Sequence, residues 1–388
     1  MKIADAASPI IVFYTTIFAF SALYTPQPLL PMMQAEFGIT ESMASLLVTA
    51  TLLPLGFAPI IYGFLLQSFT AKRLIVISVS IIMVSELGIF FSQSFPFILL
   101  MRFIQGWCVP AILTSLMTFL STSSSAQGIQ RVMSLYVAST IIGGYFGRLL
   151  SGFVATLFGW RYAFLAIFFA MLFNLVLLFW LKSDSKVAFT RLRLSAITDI
   201  LRVSGFLRVY LVIFFTFFTF ASVLNFLPFR LTEIGGHHLS ELRISTIYTG
   251  YLTGCVAALF STRIIAALRG EARVIMTALF FYLLSILFFI TTSTSLAFAN
   301  MFLFCAGMFL VHAVAPGLIN RHAGNKRGVV NGLYISCYYA GGTLGSYLPG
   351  LIYRHFGWTA YICLLAAVVV LAICIASGLG RSQFVLTD

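Results

Sequence analysis

Charge is what this chain has least of. Only 9 % of its 388 residues are Asp, Glu, Lys or Arg and only 10 are acidic, whereas a soluble domain carries about 25 % charged residues. With 61 % of its residues hydrophobic, it cannot cover a water-facing surface with polar groups, so a soluble globule is excluded and lipid is its solvent. Ordered cysteine chemistry is also missing. Cys108, Cys255, Cys305, Cys337, Cys363 and Cys374 all lie in apolar segments with no CxxC spacing and no histidine at ligand spacing, so they read as small core residues and imply neither a disulfide framework nor a zinc site. No asparagine starts an N-x-S/T glycosylation acceptor, and no G-x-x-x-x-G-K-S/T loop holds nucleotide phosphates. No nucleophile and base pair stands out, so neither an enzyme nor a self-sufficient ATP-driven pump is expected, and no cofactor. His237 and His238, with Glu233 and Glu241, share a connector, but adjacent histidines point apart and no metal site is read there.

What is present is long apolar runs. A spanning helix needs about 20 mostly apolar residues, and that rule predicts twelve. In the first half they cover 10–30, 45–66, 74–91, 97–119, 132–157 and 162–181; in the second, 209–231, 244–265, 274–292, 296–319, 328–353 and 358–379. The fold expected is all-α and integral to the membrane: residues 1–181 form one six-helix bundle, 182–208 a basic linker and 209–388 a second bundle. The first run is too long for a signal-peptide core and is read as a retained span.

The net charge of +13 would suggest nucleic acid in a soluble protein, but here the basic residues sit in short connectors. Arg161, Arg230, Arg243 and Arg354 fall on one set of span ends, Arg102 and Arg148 fall inside spans, and all the other Lys and Arg lie on the side of the two termini. An excess of Lys and Arg marks the cytoplasmic side, so both termini and the linker are expected there, in a bacterial inner membrane, with no nucleic-acid partner. The linker has apolar residues among its charges, Leu192, Leu194, Ile197, Ile200 and Leu201, and is read as a tether between the bundles.

The stretch Leu135–Trp160 recurs 198 positions later as Leu333–Trp358, with Tyr136/Tyr334, Gly143/Gly341, Gly144/Gly342, Gly147/Gly345, Gly152/Gly350 and the Phe-Gly-Trp ending all repeated. A same-direction repeat of half the chain length, in apolar sequence, marks a secondary transporter built from two bundles. Gly143, Gly147 and Gly152, with Gly341, Gly345 and Gly350, are spaced to let helices approach closely.

Other motifs carry a family resemblance. After the second span comes Gly63-Phe-Leu-Leu-Gln67-Ser-Phe-Thr70-Ala71-Lys72-Arg73; the fourth opens with Arg102-Phe-Ile-Gln105-Gly106; the fifth contains Gly143-Gly144-Tyr-Phe-Gly147-Arg148. The run Tyr24-Thr-Pro26-Gln27-Pro28, the segment Asn225-Phe-Leu-Pro-Phe-Arg230, and His312 followed by Tyr338-Tyr339-Ala-Gly341-Gly342 complete the set. Together they resemble the major facilitator superfamily, in particular the arabinose-efflux-permease-like members of its twelve-span drug:proton antiporter branch. The resemblance implies proton-driven movement of a small molecule, outward, by a monomer. It also implies a cytoplasmic gate at Gly63, Gln67, Lys72 and Arg73. The family has an acid where Gln67 stands and a glycine where Thr70 stands, so the gate's charge pair is incomplete.

Proton coupling needs a group that changes charge. Of the ten acids only Glu86 lies inside a span, so Glu86 is expected to titrate, with His312 as second choice and Arg102 and Arg148 as charge partners. Gln27, Arg102, Gln105, Asn225 and His312 are expected along the substrate path. Two in-span arginines against one acid favour an anionic or zwitterionic substrate, such as a carboxylate-bearing metabolite or metal chelator. Two alternatives stay open: proton-coupled uptake on the same scaffold, and the membrane subunit of an ATP-driven transporter.

Overall fold

The computed structural model describes residues 3–66, 68–123, 129–181, 194–236, 239–381 and 384. Its helices are α1 (Ile3–Tyr24), α2 (Leu30–Phe37), α3 (Glu41–Leu55), α4 (Ala58–Leu65), α5 (Ala71–Phe91), α6 (Phe95–Ser123), α7 (Ile129–Phe158) and α8 (Trp160–Leu178). After the linker come α9 (Leu194–Arg202), α10 (Ser204–Gly235), α11 (Glu241–Thr246), α12 (Tyr251–Leu259), α13 (Ser261–Leu268), α14 (Glu271–Phe288), α15 (Thr294–His322), α16 (Arg327–Gly345) and α17 (Leu348–Ser377). Only helices and closed barrels satisfy every backbone group in lipid, and no strand occurs among the described residues.

Several predicted spans are interrupted, each for a local reason. The first breaks after Tyr24, where Pro26 and Pro28 remove two backbone donors, and resumes as α2 after a short 3-10 turn. The second is split into α3 and α4 just beyond Pro54. The eighth bends by 58° between Glu241–Leu259 and Ser261–Leu268. The helical run Arg327–Ser377 is 51 residues long, roughly 76 Å at 1.5 Å per residue, more than twice a bilayer core. It holds two spans, separated at Gly357, whose φ of 79° breaks the helix. Counted this way, the described residues form twelve transmembrane helices, six in each half of the chain.

Two compact units emerge from the packing. The first comprises Met1–Ile39, Leu46–Thr190 and Leu239–Thr246; the second comprises Thr40–Ser45, Arg191–His238 and Ile247–Asp388. Each therefore includes a short segment from the other half of the sequence. The core of the first gathers Ile11, Ile75, Ile82, Ile112, Leu116 and Met171, and that of the second gathers Phe206, Tyr210, Ile213, Ile275, Val311 and Tyr334.

The repeated glycines are the seats of both units. A Cβ on Gly143 or Gly147 would lie 2.4 Å from the Ile17 carbonyl oxygen or the Ser21 Cα on α1; on Gly341 or Gly345 it would lie 2.2 Å or 2.0 Å from the Phe214 or Phe218 carbonyl oxygen on α10. Gly152 seats Glu241 and Ser245, and Gly350 seats Phe226 and Ser42. The apolar face of α9 is spent on protein: Ile200 is fully buried in the second core and Leu201 packs against it, while Thr198 and Arg202 are exposed.

Candidate functional site

Glu86, Arg102 and Arg148 are the fully buried charged residues among those described, and all three belong to the first unit. Pro26 explains where Arg102 goes. A proline at position i+4 cannot donate to the carbonyl at i, so the Ala22 carbonyl at the broken end of α1 has lost its helical partner. Arg102 Nη1 donates to that oxygen at 2.8 Å and Nη2 donates to the Leu23 oxygen at 2.6 Å. Its Nε donates to the Leu47 oxygen on α3 at 3.0 Å, while Thr51 Oγ1 and Gln105 Oε1 accept the two remaining N–H groups at 3.3 and 2.5 Å. All five donors of the guanidinium are thus engaged by neutral oxygens, binding α1, α3 and α6 at one point.

Glu86, on α5, lies beside Arg102 and Gln105. Neither of its oxygens, nor Gln105 Nε2, makes a hydrogen bond of ordinary length and angle, although the Gln105 amide lies within reach of the Glu86 carboxyl. One buried acid and one amide therefore face each other with bonding capacity in reserve, next to an arginine committed elsewhere.

Arg148, on α7, grips the same broken end of α1 from another side. Its Nε donates to Gln27 Oε1 at 2.6 Å, its Nη1 donates to the Gly144 oxygen at 2.5 Å, and its guanidinium lies 4.0 Å from the centre of the Tyr24 ring. Gly144 has no side chain to obstruct this, since a Cβ there would come within 3.3 Å of Nη1.

In the second unit the corresponding positions are neutral. The offset of 198 that relates the glycines also relates Gln27 to Asn225, Arg102 to Asn300 and Arg148 to Ser346. Asn225 Nδ2 donates to the Ser346 oxygen at 3.2 Å, just where α16 ends ahead of Pro349, and Asn300 Nδ2 donates to the Ser285 oxygen at 2.8 Å. Aromatic rings take the room that charge takes in the first unit. Phe217 lies against Gly342, stacks on Tyr338 at 3.7 Å and meets Tyr339 edge-on. His312, on α15, bonds Tyr334 through Nδ1 at 2.9 Å.

Within the first unit the structure thus brings together Glu86, Arg102, Gln105 and, across the end of α1, Gln27 and Arg148. Asn225 and His312 are placed separately in the second unit, on α10 and α15. The sequence placed Tyr24 in a motif and Tyr334 in the repeat without giving either a site role, and it marked neither Thr51 nor Asn300 nor the carbonyls of Ala22 and Leu23. For the Ala22 carbonyl the available signal was Pro26; for Asn300 it was the offset of 198. Of the gate residues, Gly63 lies in α4 and Gln67 lies outside the described residues. Lys72 Nζ donates to the Phe179 oxygen at 3.3 Å and to the Leu181 oxygen, so it caps the C-terminal end of α8. Arg73 lies over the Phe69 ring. His237 and His238 are outside the described residues, among which no group of three metal-ligating side chains gathers.

Known proteins resemble the chain over nearly its whole length. The family model described as Major Facilitator Superfamily matches residues 12–311 and 231–382. The inner membrane transport protein YnfM of Escherichia coli (strain K12) is 27 % identical, over 93 % of this chain and 88 % of that protein. The multidrug efflux protein YfmO of Bacillus subtilis (strain 168) is 22 % identical, over 88 % and 85 %. The crystal structure of a bacterial homolog of the human lysosomal transporter Spinster, inward-facing and occupied, superposes with a TM-score of 0.79 at 13 % identity, covering 99 % of this chain and 98 % of that one. Twelve spans in two repeated bundles, buried charge in the first and full-length relatives that are transporters place this chain in the major facilitator superfamily, as a multi-pass membrane protein that moves small molecules by secondary transport.

Proposed function

We propose that this transporter exports a small anionic or zwitterionic molecule across a bacterial inner membrane in exchange for protons, with both termini cytoplasmic and Glu86 as the proton carrier. The observation that carries this reading is Glu86 itself: fully buried beside Arg102, with the Gln105 amide within reach of its carboxyl and no bond of ordinary geometry between them. Ionised, Glu86 competes with the Ala22, Leu23 and Gln105 oxygens for the Arg102 guanidinium. Protonated, it leaves Arg102 to them. Each proton therefore changes the grip on the broken end of α1, the same end that Gln27 and Tyr24 use to hold Arg148. Arg148 then serves the substrate's negative group, and alternating access carries the proton one way and the substrate the other.

The excess of buried positive charge in the first unit supports an anionic or zwitterionic cargo. Outward direction is supported by the likeness to YfmO, a multidrug efflux protein. The distribution of Lys and Arg supports the orientation, and the likeness to YnfM supports the inner membrane. A monomer contains both bundles and is sufficient for this cycle.

Comparative mass spectrometry of medium and cell extract, from a strain lacking the chain and one overproducing it, tests the direction. Export predicts a compound that accumulates inside the first strain and outside the second; a compound left unused in the medium of the deletion strain overturns export in favour of uptake. With that compound in proteoliposomes, collapse of the proton gradient is expected to stop transport and ATP to have no effect. Glu86→Gln is expected to bind substrate and lose its pH-driven exchange.

A further inference from the structure

The proton account leaves the histidine of the second unit without a task, and its geometry gives it one. Tyr334 is buried, 2 % exposed, in the second core. A buried phenol must place its proton on an acceptor, and among the described residues the hydrogen-bond partner of Tyr334 is His312 Nδ1, at 2.9 Å. Tyr334 is therefore the donor and Nδ1 the acceptor, so the neutral imidazole carries its hydrogen on Nε2. That second nitrogen has no hydrogen-bond partner among the described residues, and it is not sealed in the interior, because His312 is only half-buried.

The surroundings of this N–H are aromatic. Tyr338 lies 4.7 Å from the imidazole centre and Tyr334 5.8 Å, and Tyr338 in turn stacks on Phe217, with Tyr339 edge-on to both. Rings that exclude water strengthen a hydrogen bond made beside them, and they favour flat apolar bodies through ring–ring contact. Gly342 holds the arrangement: a Cβ there would stand 2.2 Å from Phe217 Cε1, so any larger residue would displace the ring on which Tyr338 stacks.

We infer that His312 Nε2–H, aimed by Tyr334, is a substrate-binding donor in the second unit, and that the substrate it selects is a flat aromatic molecule bearing an acceptor oxygen, such as an aromatic carboxylate. This rests on the reading of the chain as a transporter of anionic cargo and gives that cargo a shape. Tyr334 acts through His312 and is a positioning residue.

Binding measured without any gradient tests the inference independently of direction and proton coupling. The full-length protein in lipid nanodiscs is titrated calorimetrically with 2-naphthoate and with its saturated counterpart, decahydronaphthalene-2-carboxylate. The wild type is expected to bind the aromatic acid at least tenfold more tightly. His312→Ala is expected to lose that preference, and His312→Gln, whose amide still donates, to recover part of it. Tyr334→Phe should bind several-fold more weakly while folding normally, since an unaimed imidazole divides between its two neutral forms. Equal binding of both acids by the wild type, no binding of either, or naphthoate binding by His312→Ala at wild-type strength would each overturn the assignment. None of those results would bear on whether Glu86 carries protons.

Discussion

Positions 102 and 300 are the same place in the two halves of the repeat, yet one is an arginine making five hydrogen bonds and the other an asparagine making one. The same contrast runs through Arg148 and Ser346, and through the charged cluster of the first unit and the stacked rings of the second. What the halves share is steric. Gly143 and Gly147 seat α1 as Gly341 and Gly345 seat α10. The repeat therefore preserves the packing frame while the side chains within it differ: charge and its compensation in the first unit, stacked aromatic rings in the second. In both units a buried polar side chain answers a main-chain carbonyl where a helix breaks, Arg102 for Ala22 and Asn225 for Ser346.

The comparison breaks first at Arg102. A side-chain hydrogen bond in a membrane protein contributes about 0.6 kcal/mol, so Arg102→Ala is expected to cost roughly 3 kcal/mol by removing five such bonds, and Asn300→Ala about 0.6 kcal/mol. Reversible unfolding in mixed micelles measures both; equal losses would deny that the halves differ in this way. Gly147→Ala and Gly345→Ala test the shared frame. Both added methyl groups meet backbone within 2.4 Å, and overpacking of this kind costs about 1–3 kcal/mol, so the two variants should be destabilised alike. A large cost in one half alone would show that the frame is not equivalent. The smallest effect belongs to Pro26→Ala. A restored N–H at position 26 can bond the Ala22 carbonyl, so this change should reduce the penalty of Arg102→Ala by about the 0.6 kcal/mol of one bond. Strict additivity of the two changes in a double-mutant cycle would mean that Arg102 does not stand in for the missing donor.

Much of the frame was legible in the sequence. Apolar runs gave the spans, and ten identical residues at one offset gave the two bundles. Glycine spacing repeated in both halves marked the close approaches because only glycine fits where backbone meets Cβ. The site was legible in its members and not in its wiring. Glu86, Arg102 and Arg148 stand out as charges inside spans, but the acceptors of Arg102 are main-chain oxygens of other helices, and a carbonyl has no letter in the sequence. The bond from His312 to Tyr334 joins two helices 22 residues apart, which no spacing rule anticipates. Lys72 reads as part of a gate, and nothing in its sequence context announces that it also caps α8. The offset of 198 pairs Arg102 with Asn300 and Gln27 with Asn225 without any identity between the residues, so a search for matching letters passes over them.

The proposed change of charge at Glu86 within the span is open to infrared difference spectroscopy of the protein in lipid, which needs no knowledge of the substrate. Spectra are recorded as the bathing pH is cycled between acid and alkaline, for the wild type and for Glu86→Gln. The account predicts a carboxyl C=O stretching band in the wild type that appears and disappears with pH and is absent from Glu86→Gln. A wild-type spectrum with no such band, or one that persists unchanged in Glu86→Gln, would contradict it.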